Sequence, residues 1–80
     1  DRITVTPNPF AGKVCIHSDD YLFRQYQIML INPVGKLVYH SKARITLNQY
    51  MADFENLPSG VYFLILESDK KVLQKKLIKL

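Results

Sequence analysis

Leu57-Pro58-Ser59-Gly60-Val61-Tyr62-Phe63-Leu64-Ile65-Leu66 is the stretch that decides the fold. A proline and a glycine make a turn, and six apolar residues then follow without interruption. Such a run, bounded by a turn on each side, reads as a β-strand apolar on both faces, and therefore as a central strand covered on both sides. It is the longest apolar run in the chain, far below the ~18 residues needed to span a bilayer. Nothing at the start of the sequence has the n-region and h-region order of a signal peptide.

Working outward, Glu67-Ser68-Asp69-Lys70 turns the chain after this strand. In the segment that follows, Leu73, Leu77 and Leu80 lie at i, i+4 and i+7, with Asp69 placed as an N-cap. That periodicity alone allows a basic amphipathic helix. Upstream, however, the pattern is of strands. Ile3-Thr4-Val5-Thr6 alternates and stops at Pro7-Asn8-Pro9, where two prolines remove ladder donors. Gly12 opens Lys13 to His17, with Val14 and Ile16 on one face and Cys15 on the other; Ser18-Asp19-Asp20 closes it. Tyr26 to Ile31 and Lys36 to His40 form a hairpin through Asn32-Pro33-Val34-Gly35, the glycine supplying a φ > 0 position. Arg44 to Asn48 alternates again through Ile45 and Leu47. Six strands spaced by turns favour a seventh over a helix, and predict an all-β fold: an immunoglobulin-like antiparallel β-sandwich of about seven short strands. Tyr62, just after the corner at residues 57–60, sits where a tyrosine corner would place its hydroxyl, or it is core filler; the pattern fits both.

The chain has 80 residues, 48% hydrophobic and 22% charged, with one cysteine. This makes one domain, residues 1–80, with a thin two-layer core and no room for a deep catalytic cleft. The single Cys15 closes no intrachain disulfide, and one cysteine with two scattered histidines builds no four-ligand zinc site. Eleven Lys and Arg against seven Asp and Glu give +4. Five of the lysines (70, 71, 75, 76, 79) fall in the last eleven residues, so residues 1–69 carry six bases against seven acids, a net of −1. A fold-wide nucleic-acid footprint is therefore not expected; only the tail is a candidate positive contact.

Little else points to chemistry. Cys15 and His17 project to one strand face ~6–7 Å apart, which allows a nucleophile and base to be imagined, but a small core thiol and a surface histidine are the commoner arrangement. Asp19-Asp20 lacks further oxygen ligands and is better explained as a turn. No glycine pattern cradles phosphate. The nine aromatics fall mostly on core-forming strand faces, with Phe10, Tyr21 and Phe23 as the loop exceptions that could stack on a ligand. The residues alone thus point to a small non-enzymatic domain with a positive C-terminal strand and no cofactor.

Three ordered segments nevertheless resemble a known family. Thr6-Pro7-Asn8-Pro9-Phe10-Ala11-Gly12, Leu57-Pro58-Ser59-Gly60-Val61-Tyr62 and Lys75-Lys76-Leu77-Ile78-Lys79 are similar to the C-terminal sorting domain of type IX secretion cargo proteins; Asn32 to Lys36 also fits that family's N-x-x-G-K pattern. The resemblance implies a seven-stranded immunoglobulin-like domain at the end of a larger secreted protein of a Gram-negative bacterium. Such a cargo crosses the inner membrane under a separate signal and passes through the periplasm to the outside or the cell surface. The implied partners are the outer-membrane translocon and a sortase-like cysteine peptidase, whose cleavage point lies before Asp1 or at its edge. Residue by residue, Pro7, Asn8, Pro9 and Gly12 would form the family's first corner, Gly60 and Tyr62 its G-x-Y element, and Lys75, Lys76 and Lys79 its basic terminal strand. Cys15 departs from the family pattern and is a source of adventitious dimers; otherwise a monomer or weak dimer is expected. The alternative class is a carbohydrate- or surface-binding sandwich attached to a secreted enzyme, which predicts exposed, coplanar aromatics, Tyr21, Tyr39 and Tyr50 among them.

Overall fold

The computed structural model describes residues 3–18, 24–45, 49–69 and 72–80, and of residues 24 and 43–45 the backbone only. Seven strands run β1 (Ile3–Thr6), β2 (Lys13–Ser18), β3 (Arg24–Ile31), β4 (Leu37–Ile45), β5 (Gln49–Asp53), β6 (Gly60–Glu67) and β7 (Val72–Lys79). They form two antiparallel sheets, β1-β2-β5 and β4-β3-β6-β7, the expected immunoglobulin-like sandwich. The fourth strand pairs with the third rather than joining the first sheet, a switch within the same architecture.

The ending is a strand. β7 pairs with β6 along its whole length, from Gly60↔Lys79 to Glu67↔Val72. The leucine spacing could not separate the two conformations, because an interval of four is even: Leu73 and Leu77 share a face in a strand as they would in a helix. Only Leu80, at an odd interval, discriminates, and it is exposed.

Two expectations about strands need correction. Arg44 to Asn48 is not a separate strand. The register Arg24↔Ile45 and Gln25↔Arg44 keeps residues 44 and 45 in the β3-β4 hairpin, and residues 46–48 lie outside the described residues. The fifth strand is β5, Gln49–Asp53, which sequence alternation missed because its inward residues are only Tyr50 and Ala52, with Met51 turned to solvent. The second correction concerns β6. It is central, between β3 and β7, but covered on one side only. Tyr62, Leu64 and Leu66 are buried, whereas Val61, Phe63 and Ile65 are half-buried on the outer face.

The core lies between the sheets. Alternate residues supply it: Val14 and Ile16 from β2, Tyr26, Ile28 and Leu30 from β3, Tyr62, Leu64 and Leu66 from β6, and Leu77 from β7. Phe10, expected in a loop as a free aromatic, is fully buried and meets Phe54 edge-on at 6.0 Å. Each such aliphatic or aromatic side chain contributes about 1.5–3 kcal/mol relative to exposure.

Candidate functional site

The three sequence segments that stood out are far apart in the chain and adjacent in space. After β1 the backbone turns at Pro7-Asn8-Pro9, with both X-Pro bonds cis, and leaves its own sheet. Phe10 then makes a parallel bridge to Lys79 of β7, with Phe10 N–H donating to Ile78 O at 2.9 Å and Leu80 N–H donating to Phe10 O at 2.8 Å. The Asn8 side chain extends the same seam: Nδ2 donates to Lys76 O and Oδ1 accepts from Ile78 N–H, each at 3.0 Å. Proline supplies no backbone N–H, so at this corner the asparagine amide carries the donor and acceptor that a strand backbone would otherwise offer.

Lys79 pairs on its other side with Gly60, so Phe10, Lys79 and Gly60 stand side by side across the sheet end. Gly60 has φ 148°, a conformation that disfavours a side chain, and it starts β6 directly after the corner. Two residues on, Tyr62 is buried and its hydroxyl donates to Pro58 O at 2.6 Å. That is a tyrosine corner: it ties the strand to the turn it has just left, and settles the choice between corner and filler. Tyr62 lies opposite Leu77.

The family-pattern residues are therefore distributed unevenly. Asn8, Gly60, Tyr62, Lys76 and Lys79 share one ribbon; Pro7 and Pro9 are exposed at its rim. Gly12 lies further along, where its carbonyl accepts from Phe54 N–H at 3.0 Å and ties the strap to the end of β5. Lys75 and Lys76 are both exposed but point to opposite faces, as neighbours in a strand must. Lys79 is not a presented charge: it is 9% exposed and its Nζ donates to Leu80 O at 3.2 Å. The uniform positive ribbon read from the sequence is thus three lysines in three environments; Lys70 and Lys71 lie outside the described residues.

Asn32 to Lys36 is built as a self-contained turn. Asn32 Oδ1 accepts from Val34 N–H at 3.2 Å and Lys36 N–H at 2.9 Å, its carbonyl accepts from Gly35 N–H, and Gly35 takes φ 87°. The asparagine and glycine of the N-x-x-G-K pattern are there to make the loop.

The other candidates resolve differently. Cys15 is half-buried and its thiol faces Gln49 Oε1 at 3.8 Å, while His17 is exposed on the same strand face. Tyr39 and Tyr50 offer no flat platform: they are half-buried, their hydroxyls are 3.3 Å apart between the sheets, and Tyr39 packs edge-on against Phe54 at 4.9 Å and 81°. Burial, and then the Tyr50 hydroxyl, push the Tyr39 pKa above the ordinary 10.0, with Ser41 pulling weakly the other way. Asp19, Asp20, Tyr21 and Phe23 lie outside the described residues. Among the described residues no helix is long and apolar enough to cross a membrane.

What sequence reasoning missed is the seam itself. Asn8 was identified as a corner residue, but no local signal says that its amide bonds a strand some seventy positions away.

No curated protein matches the chain. A family model described as the secretion system C-terminal sorting domain matches residues 4–80. Nearly the whole sandwich, with strap, tyrosine corner and terminal strand, falls within that match, and the chain belongs to the family of type IX secretion C-terminal sorting domains.

Proposed function

We propose that this domain is a folded address label that carries its cargo through the periplasm and across the outer membrane. It is recognised there by the type IX translocon and by a sortase-like peptidase acting before it, and it does no bond-making of its own. The observation that carries this reading is the seam of Asn8 and Phe10 on β7. It joins the first corner, the G-x-Y strand and the terminal strand into one rigid surface, so that segments distant in sequence are presented together only by the folded domain. A recognition element built this way needs no cleft, metal or nucleophile. It needs a fixed shape.

The test is a reporter bearing an inner-membrane signal, fused ahead of residues 1–80, in a host with the type IX pathway. Deleting residues 75–80 is uninformative, since it removes buried Leu77 and most of the pairing between β6 and β7. Asn8→Ala and Tyr62→Phe instead loosen the presented surface while leaving the core. Export of the wild-type fusion with reduced export of both variants is expected; a wild-type fusion retained in the periplasm sinks the proposal.

A further inference from the structure

The two outer faces of the sandwich differ in kind. That of the three-stranded sheet is mostly polar, with Thr4, Thr6, Lys13, His17, Gln49 and Asp53 around Cys15 and the exposed Met51, as an antiparallel face turned to water should be. That of the four-stranded sheet is apolar through its middle: Met29 and Ile31 on β3 lie beside Ile65 and Phe63 on β6, and Val61 stands beside Ile78 on β7. Ile78 is 41% exposed and Val72, on the same face, 61%. A contiguous apolar sheet face in contact with water marks an interaction surface.

Charge on this face has a pattern. Lys42 lies on the β4 side and Lys76 on the β7 side, with Glu67 at one end of the stripe and Gln27 and His40, 3.0 Å apart, near the β4 side. Both long edges are thus lysine-bearing. We infer that the outer face of β4-β3-β6-β7 is the surface by which this domain is read, and that its occupant is a protein face with an apolar centre flanked on both sides by carboxylates. This rests on the sorting reading above and names the surface it uses.

Two features select that occupant. A second copy would present this same face, whose described charged residues are the two lysines and the one carboxylate of Glu67, so face-to-face self-pairing brings together two surfaces of net positive charge. Met29, Ile31, Val61, Phe63 and Ile65 are half-buried and flush with the sheet, a shape that packs against another flat face about 10 Å away rather than inserting into lipid. The lysine rims then steer and orient a carboxylate-flanked partner, while the apolar centre supplies affinity.

The experiment uses the same export reporter with three folded variants, checked by thermal melts: Phe63→Glu/Ile65→Glu in the stripe, Lys42→Glu/Lys76→Glu at the rims, and Met51→Glu on the opposite sheet. Export is expected to fall about tenfold or more for the first two and to be unchanged for the third. If the wild-type fusion is exported and the first two variants match it, the face is wrong while the sorting function stands; if the wild type is not exported, both fail. The purified wild-type domain is also sedimented alone and with phosphatidylglycerol vesicles. A dimer, or vesicle binding, that is lost in Phe63→Glu/Ile65→Glu assigns the face to self-association or to lipid and overturns the proposal. A monomer that stays free of vesicles upholds it.

Discussion

Asn8 and Ile78 are joined by a hydrogen bond of 3.0 Å from the strand amide to the side-chain oxygen, and the same asparagine returns a bond of equal length to Lys76 O. Asn8 thereby acts as one more strand residue beside β7, occupying part of an edge that would otherwise be free. An edge strand with bare donors and acceptors recruits other chains, and a strap that covers it fixes which part remains accessible.

Asn8→Ala removes both bonds. We expect a loss of about 1–2 kcal/mol in a urea melt, since two exposed hydrogen bonds of ordinary strength are lost. Amide exchange at Ile78 should accelerate, while exchange on β2 stays as it was.

Tyr62→Phe keeps the ring and deletes the bond to Pro58 O. The expected cost is about 1 kcal/mol. If the variant melts like the wild type, the hydroxyl bond is not holding the corner.

Along β7, burial alone separates neighbours of similar family rank. Leu77→Ala should cost about 2–5 kcal/mol, because it empties a fully packed site. Lys75→Ala, at an exposed position, should stay within about 0.5 kcal/mol. Equal effects in chemical denaturation would contradict the packing described.

Tyr39 gives the fold an alkaline limit. Its folded pKa is raised above 10.0, first by burial and then by the Tyr50 hydroxyl, so the fold favours the neutral phenol. For a raised pKa the contribution to stability is complete below the unfolded value and is lost as pH rises through the folded one. Melting temperature should therefore drop above pH 10.0 in the wild type and drop less in Tyr39→Phe. Phenolate absorbance should show Tyr39 titrating late, and earlier in Tyr50→Phe.

Much of this domain follows from local sequence. Gly35 and Gly60 stand where a positive φ is required, Pro7 and Pro9 end the first strand, and alternate apolar residues mark Val14, Ile16, Ile28 and Leu30 as inward-facing. These are short-range constraints of sterics and of period-two patterning, and they are complete within a few residues, as is the resemblance carried by the three motifs. Tertiary structure decided what depends on neighbours distant in the chain. It set the Asn8 bonds to β7, the burial of Phe10 and Lys79, the placement of β5, and the one-sided cover of β6. A strand's pattern says which residues share a face, but whether that face meets a second sheet or water depends on the packing of the whole chain.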